Sequence, residues 1–241
     1  DAVKEGVGFK NYVDIFTRPE LFRVFFVSLY YLVGALVQLA LALYFATILS
    51  FSTRFRNFFK GVIFFPYLLN GVAIGLVFLY FFRPDGTLDA LLAIVGVQET
   101  PHWLGDPSIV NYSLAGTSVW RYMGLNFVLF LGAIQAIPGD VYEAADLDGA
   151  TSWQKFRFVS WPALKTLYVT SLILSMIWTL GDFNSVYLLT GGGPADLTHV
   201  LATLGIRYLR LDQVDLSMAS IVVAMPLVLP LVYVMMKRLS K

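Results

Sequence analysis

The sequence of 241 residues has no cysteine and little charge. The absence of cysteine excludes disulfides, thiolate metal ligands and cysteine nucleophiles. Charged residues make up 14% of the chain and hydrophobic residues 58%, whereas typical soluble domains carry roughly a quarter charged residues. The composition therefore argues against a soluble fold.

Basic residues are also few and dispersed. The net charge is +1 and no Lys/Arg cluster occurs, so we exclude nucleic acid as a partner. The chain contains neither G-x-x-x-x-G-K-[ST] nor any GK dipeptide, so it cannot hold ATP phosphates in a P-loop. The three glycines at 191–193 have no lysine after them, and we interpret them as a turn. We expect no cofactor and no metal on this chain.

Long uncharged runs are what the sequence does have. About 20 apolar residues cross the hydrocarbon core of a bilayer, and no charge occurs from 24 to 53, from 61 to 82 or from 216 to 236. These runs are too long and too apolar for barrel strands, so the backbone must form its hydrogen bonds within helices. We predict an all-α polytopic membrane protein. The predicted spans are near 24–50, 61–82, 114–137, 166–183 and 216–236, with a cytoplasmic loop over 138–165.

The orientation follows from Lys and Arg in short loops, which favour the cytoplasmic side. With the C-terminus inside, nine of the 17 Lys and Arg residues lie inside, seven lie outside and Arg121 lies within a span. The inner residues are Arg54, Arg56, Lys60, Lys155, Arg157, Lys165, Lys237, Arg238 and Lys241; Lys4 is among the outer ones. An odd number of spans then places Asp1 outside. We expect a further span upstream, which makes the intact protein six-spanning.

The loop at 138–165 contains the most polar stretch of the chain, EAADLDGATSW. Asp140 and Glu143 have the spacing of a capping box, which predicts a helix over 141–148. Gly149 tolerates the left-handed conformation that ends a helix.

A second short helix is predicted by Thr151 and Gln154, which have the same capping spacing. Two small helices that meet at a glycine form a compact knob. Ala144 and Ala145 leave one face with little bulk, so another protein can approach the backbone closely. The acidic residues at its border are Glu143, Asp146 and Asp148. A merely solvated loop is the alternative, and the ordered caps favour docking.

A longer pattern runs through this loop: E-A-A, three residues, glycine, nine residues and V-S-W-P. Its residues are Glu143, Ala144, Ala145, Gly149, Val159, Ser160, Trp161 and Pro162. The pattern resembles the E-A-A, glycine, I-x-L-P loop of permease subunits of binding-protein-dependent ABC importers, particularly the carbohydrate-uptake branch of maltose and glycerol-phosphate permeases. Trp161 stands where that family usually has leucine. Other stretches similar to that branch are GFKNY at 8–12, FFPY at 64–67, WLGDP at 103–107 and LLTGGGP at 188–194.

The resemblance implies the fold of a type I importer permease without its first span, in the cytoplasmic membrane of a prokaryote. It implies that the loop is a coupling helix, with Glu143, Ala144, Ala145 and Gly149 contacting an ATPase subunit and Asp146 and Asp148 nearby. The implied partners are a second related permease, two cytoplasmic ATPases that bind ATP and magnesium, an extracytoplasmic solute-binding protein and membrane lipid. The implied cargo is a sugar or a related polyol.

Polar and aromatic residues at membrane depth are candidates for the substrate pathway. The charge of Arg121 inside a span is unfavourable in free energy, so its side chain should face protein or water, or extend to the membrane surface. Asn70 follows Pro66 in the second span, where a broken helix could open backbone groups to a cavity. The other candidates are Trp120, Asn126, Trp178, Asp182, Phe183 and Asn184. For Trp120, an interfacial aromatic belt is the alternative interpretation.

Two other classes of function stay open at this stage. An intramembrane hydrolase or transferase needs a nucleophile and a base at membrane depth, yet His102 and His199 fall in predicted outer loops. Neither G-x-S-x-G nor H-E-x-x-H occurs in the chain. A passive channel predicts rings of polar residues but gives no reason for a capped surface helix. We expect a transporter subunit and no enzymatic activity on this chain.

Overall fold

The computed structural model describes residues 8–50 and 55–239, and this part of the chain contains helices and no strand. Asp1, Lys4, Arg54 and Lys241, on which the predicted orientation partly depends, lie outside the described residues. The helices are α1 (Lys10–Thr17), α2 (Pro19–Ser50), α3 (Arg56–Leu68), α4 (Gly71–Phe81), α5 (Thr87–Ile94), α6 (Val110–Gln135), α7 (Gly139–Leu147), α8 (Ser152–Lys155), α9 (Trp161–Leu180), α10 (Phe183–Leu189), α11 (Leu201–Arg210) and α12 (Val214–Leu239); a π-helical turn, Phe156–Ser160, joins α8 to α9.

The long helices agree in place with the predicted spans. Two of them, Pro19–Ser50 and Ser152–Leu180, are long and apolar enough to cross a membrane, and two bent helix pairs raise the number to as many as four. The helix that ends at Leu180 begins at Ser152, well before the predicted 166, because α8, the π turn and α9 are continuous. The fifth predicted span falls within α12, which is apolar over Val214–Pro226. The number of five spans therefore stays a prediction.

The second predicted span is broken, as the proline and glycine in it predict. Helix α3 contains Pro66 and ends at Leu68, and α4 begins at Gly71. Between them Leu69 is extended, with φ −74° and ψ 140°, and its N–H donates to the Pro66 carbonyl at 3.2 Å. The break at Asn70 is confirmed, and the residue is exposed there.

The chain divides into two compact units. Unit 1 comprises residues 1–33, 71–117 and 177–241, and unit 2 comprises 34–70 and 118–176. Unit 1 has two apolar cores. In one, α1, α11 and α12 pack around the fully buried Ile15, Leu204 and Tyr208. In the other, Tyr31 and Phe82 pack with residues of α6 and α10.

Unit 2 has one apolar core, made by α2, α6 and α9. Its fully buried members include Leu39, Phe127, Phe130 and Leu164. These side chains pack α2, α6 and α9 against one another through van der Waals contact, one of the interactions that associate helices in a membrane. The α7–α8 segment, defined as residues 139–155, belongs to this unit.

Close approach of helices in unit 2 depends on Gly124 of α6. A Cβ at this position would lie 2.7 Å from the Ile63 carbonyl oxygen and 3.2 Å from the Phe64 Cα. Both are backbone atoms of α3, so they cannot move aside as a flexible side chain would. A small residue at a helix crossing in a membrane permits this kind of backbone contact.

We predict that Gly124→Ala destabilises the protein by about 1–3 kcal/mol, because the added methyl forces α3 and α6 apart. Gly132→Ala in the same helix is the matched control, since a Cβ there has no neighbour within 4 Å. Thermal unfolding of the detergent-solubilised protein should give a lower Tm for Gly124→Ala and an equal or higher Tm for Gly132→Ala. Equal Tm values for the two variants would contradict the close packing.

Candidate functional site

Helix α7 begins at Gly139, with Pro138 as its N-cap. The predicted capping box of Asp140 and Glu143 is wrong, because no side chain caps this helix. The helix starts earlier than predicted, so Asp140 lies in its first turn. A carboxylate in the first turn still interacts favourably with the positive end of the helix dipole.

The end of α7 agrees with the prediction. Gly149 has φ 72°, in the left-handed region, and its N–H donates to the Asp146 carbonyl at 3.0 Å. The Ala150 N–H donates to the Ala145 carbonyl at 2.9 Å, which satisfies another carbonyl of the last turn. No atom lies within 4 Å of a Cβ built at Gly149. A side chain there would be disfavoured by backbone conformation and not by crowding.

Helix α8 has the predicted capping box. The Gln154 N–H donates to Thr151 Oγ1 at 3.3 Å, and the Thr151 N–H donates to Gln154 Oε1 at 2.7 Å. The box fixes the direction in which the chain enters the long helix that ends at Leu180. The turn at Gly149 therefore joins two helices with defined ends.

The two faces of α7 differ in exposure. Tyr142 and Ala145 are partly buried, while Glu143, Ala144 and Leu147 are exposed. Successive helical residues are about 100° apart, so Ala144 and Ala145 do not share one face as the sequence analysis supposed. Ala145 lies on the partly buried side of α7, and Ala144 lies on the outer face. We define the outer face of α7 as Glu143, Ala144, Leu147 and the adjoining Asp148.

Leu147 is a residue that sequence reasoning missed. Its side chain is 90% exposed, although leucine is among the residue types most often buried. The acidic Glu143 lies one turn before it and Asp148 follows it. The signal in the sequence was one large apolar residue within a run of acidic ones. Leu147 is thus an apolar side chain that the described part of the chain leaves accessible on an ordered helix, beside acidic side chains.

Asp146, also among the predicted contacts, has a partner within unit 2. It forms an ion pair with Lys155 of α8. The carboxylate side chain is 62% exposed and the lysine side chain 19% exposed. The remaining acidic residues of the segment, Asp140, Glu143 and Asp148, are exposed. The ion pair links α7 to α8 across the glycine turn.

The predicted pathway residues fall into two groups of four. Asn70, Trp120, Arg121 and Asn126 belong to unit 2, and Trp178, Asp182, Phe183 and Asn184 belong to unit 1. In unit 2, Trp120 and Arg121 are partly exposed, and the Arg121 guanidinium lies 4.9 Å from the centre of the Tyr122 ring. Such a cation–π contact lowers the energetic penalty of a charge in an apolar span.

Asn126 lies in a buried polar cluster that the sequence did not predict. Its Nδ2 donates to Ser175 Oγ at 3.1 Å, and Gln38 Nε2 donates to the same oxygen at 3.2 Å. The three side chains come from α6, α9 and α2 and are each at most 3% exposed. The cluster therefore joins the three helices of the unit 2 core. The sequence signal for this cluster was the presence of amide and hydroxyl side chains within the apolar predicted spans.

In unit 1, Asp182 has a structural role as the N-cap of α10. Its carboxylate accepts from the Ser185 N–H at 3.3 Å and from Ser185 Oγ at 2.7 Å, and the residue is 8% exposed. Phe183 stacks on Tyr187 with ring centres 4.7 Å apart. Trp178 and Asn184 are exposed.

The triple glycine is a turn, as predicted. Gly191 and Gly192 have φ of 59° and 102°. A Cβ at Gly192 would lie 2.1 Å from His199 Nε2, so only glycine fits against this ring. His199 is 3% exposed, and burial lowers its pKa, although the nearby Asp196 carboxylate partly opposes that shift.

Residues 38–241 match the model of one protein family, described as the binding-protein-dependent transport system inner membrane component. The chain belongs to this family. The match includes the α7–α8 segment, every candidate pathway residue, unit 2 from residue 38 onward and unit 1 from residue 71 onward. Members of this transport family are membrane permeases and not enzymes, so we set aside the alternative of an intramembrane hydrolase or transferase.

Two relatives illustrate the similarity of this permease to curated members of the family. The first is the probable ABC transporter permease protein YurN of Bacillus subtilis, 33% identical over 83% of this chain and 70% of its own length. The second is the trehalose/maltose transport system permease protein MalF of Thermococcus litoralis, 30% identical over 97% of this chain and 80% of its own.

Among solved structures, the permease fold resembles a chain of a bacterial alginate ABC transporter crystallised with an alginate pentasaccharide-bound periplasmic protein. The TM-score is 0.84 at 20% identity, over 95% of this chain and 81% of that one. A second crystal structure, of a bacterial ABC transporter involved in alginate import, gives a TM-score of 0.78 at 21% identity. It covers 97% of this chain and 85% of that chain. These likenesses support the ABC importer permease fold.

We predict that Ser175→Ala destabilises the permease, because Gln38 and Asn126 lose the acceptor that they share. Burying an unsatisfied polar group costs about 1–3 kcal/mol. Ser171→Ala, one turn earlier in α9, is the matched control: within the described part of the chain its buried hydroxyl has no hydrogen-bond partner. The Tm in detergent should fall for Ser175→Ala and should hold or rise for Ser171→Ala. The reverse order would refute the role of the cluster.

Proposed function

We propose that this permease is one membrane-spanning subunit of an ATP-driven importer and forms half of the translocation pathway for a sugar or a related polyol. The observation that carries the coupling part of this proposal is the outer face of α7. It presents the 90% exposed Leu147 between two acidic side chains, on a helix whose end is fixed by the Gly149 turn.

The outer face of α7 is the surface that we assign to the ATPase subunit. Apolar anchors that enter a pocket, with charged residues at the border, are typical of the centre of a protein interface. Glu143, Ala144, Leu147 and Asp148 supply these features. Ala145 lies on the opposite side of α7, and Gly149 ends the helix. Asp146 pairs with Lys155.

ATP and magnesium belong to the partner in this proposal, since the chain has no P-loop. The assembly comprises this permease, a second related permease, two cytoplasmic ATPases and an extracytoplasmic solute-binding protein, in a lipid membrane of a prokaryote. A ligand shifts a conformational equilibrium only by its different affinity for the two states. ATP supplies that difference on the ATPase, and the α7–α8 segment passes it to the spans, of which we propose five in this chain.

The solute class rests on the relatives. Proteins similar to this one include a trehalose/maltose permease, the lactose transport permease LacF of Rhizobium radiobacter and the galactooligosaccharide permease GanP of Bacillus subtilis. We propose Trp120, Arg121, Trp178, Phe183 and Asn184 as pathway residues, because aromatic faces and polar groups together suit a sugar. Asn70, exposed at the helix break, joins them.

Two further pathway candidates are already bonded within the permease. Asn126 is tied to Ser175 and Asp182 to Ser185. We propose that they border the pathway and set the positions of their helices.

We predict that Leu147→Ala weakens ATPase binding by about thirtyfold, the effect of losing a hot-spot side chain worth about 2 kcal/mol. Ile94→Ala is the matched control, because Ile94 is an 81% exposed aliphatic residue of α5 and does not belong to the α7–α8 segment. The measurements are the affinity of the purified permease pair for the ATPases and ATP-dependent uptake in proteoliposomes. Unchanged affinity in Leu147→Ala, with the protein folded, would reject the docking face.

The solute class is tested with the cognate solute-binding protein. Calorimetric titration with monosaccharides, disaccharides, polyols and glycerol phosphates should identify a tight ligand, and that compound should stimulate ATP hydrolysis by the assembled importer. Tight binding of an amino acid or a peptide, with none of a carbohydrate or polyol, would contradict the proposed class while leaving the importer architecture intact.

A further inference from the structure

Tyr142 turns its side chain away from the outer face of α7. Its hydroxyl lies 2.9 Å from Ser160 Oγ, and either oxygen can donate the hydrogen bond. Ser160 is 5% exposed, so water competes little for this bond. Tyr142 and Asp146 are four residues apart, which places them on one face of α7. This inner face thus carries two polar side chains, and each of them bonds to the helix that begins at Ser152.

The two partners of the inner face are Ser160 and Lys155, five residues apart. On a regular α-helix, residues five apart point about 140° away from each other. Here Lys155 is followed by the π turn Phe156–Ser160. Its hydrogen bonds join residues five apart, so residues at this spacing lie closer to the same side than they do on an α-helix. The π turn therefore brings both partners to the side that faces α7.

The two connections differ in how well they can fix a direction. The Asp146 carboxylate is 62% exposed, so solvent screens its ion pair with Lys155. The hydroxyl pair is uncharged, and its Ser160 member is buried. It is the connection that holds the inner face of α7 at a defined distance from the long helix.

Beyond Ser160, aromatic rings lead into the unit 2 core. Trp161 packs on Tyr168 with ring centres 5.4 Å apart, and Tyr168 stacks on Phe130 at 5.6 Å and 19°. Phe130 is fully buried. On the other side of the π turn, Trp153 stacks on Phe156 at 5.5 Å. The Tyr168–Phe130 contact joins this helix to α6, so the helix that carries Ser160 is fixed to the core of unit 2 on that side.

We infer that Tyr142 is a positioning residue: through Ser160 and the π turn it fixes the outer face of α7 relative to the core of unit 2. This inference rests on the proposed function. When the ATPases move α7, the hydroxyl pair makes the core move with it. Without the pair, α7 still docks but tilts on its glycine turn, so ATP is hydrolysed with less solute transported.

The test uses Tyr142→Phe and Ser160→Ala, singly and together, in the complete importer reconstituted in proteoliposomes. Each substitution removes one hydroxyl and keeps most of the packing. We expect the ratio of solute transported to ATP hydrolysed to fall severalfold in each single variant. The double variant should be no worse than the single ones, because the two residues act as one pair. Co-purification with the ATPases should be unchanged.

The matched control is Tyr44→Phe, which removes a hydroxyl from a 59% exposed tyrosine of α2 and should keep the transport ratio of the unsubstituted importer. An unchanged ratio in Tyr142→Phe and Ser160→Ala, with normal assembly, would overturn the inference and leave the proposed function standing. Loss of assembly in both variants would also overturn it, since the pair would then serve folding and not positioning. Failure of the unsubstituted permease to bind ATPases would reject both proposals.

Discussion

Backbone hydrogen bonding in hydrocarbon is the constraint on which this structure depends. A peptide group that leaves a helix inside a membrane must find another partner or face a protected cavity. At two places where the described chain leaves its helices within the predicted spans, a neighbouring group supplies the missing hydrogen-bond partner. At the end of α9 the Asp182 carboxylate caps α10. At Leu69, where the chain leaves α3, the backbone N–H donates to the Pro66 carbonyl. Irregular backbone is thus confined to points that can carry polar function.

Contacts between helices within each unit face a second constraint of the membrane. Lipid is as apolar as the helices, so the hydrophobic effect does little to drive the helices together. Unit 2 uses close backbone approach at Gly124 and a buried cluster of Gln38, Asn126 and Ser175. In unit 1, a Cβ at Gly75 of α4 would lie 2.8 Å from Leu188 Cβ of α10. Small residues and shared hydrogen bonds, added to ordinary apolar packing, therefore hold the helices in both units.

The sequence predicted the elements that have strong local causes. Uncharged runs located the long helices, Thr151 with Gln154 located a cap, and Gly149 located a left-handed turn. It did not predict the true start of α7, because Asp140 and Glu143 fit the capping pattern while Pro138 begins the helix. Local spacing shows that a cap is possible, but the direction of the chain before it decides which residue occupies the position.

Tertiary neighbours, which no local pattern contains, explain what sequence reasoning missed. Ala144 and Ala145 look equivalent in the sequence, yet one faces outward and the other inward. Asn126 is a single amide in the sequence, and only the structure shows its bond to Ser175 of another helix. The extended helix from Ser152 to Leu180 was divided by the prediction because its first residues are polar, although they continue an apolar helix without a break.

The π turn has a consequence for which changes in chain length the permease can tolerate. A π turn contains one residue more than the α-helical turn that it replaces. Deleting one residue within 156–160 would restore a regular helix and leave the apolar character of α9 intact. It would also rotate everything before the deletion by about 100° relative to everything after it. Lys155 and Ser160 would then no longer face α7 together, and α7 could not keep both the Asp146 ion pair and the Tyr142 hydrogen bond. A change of one residue in the length of this stretch is therefore expected to disrupt the permease, unlike the same change in a solvent-exposed loop.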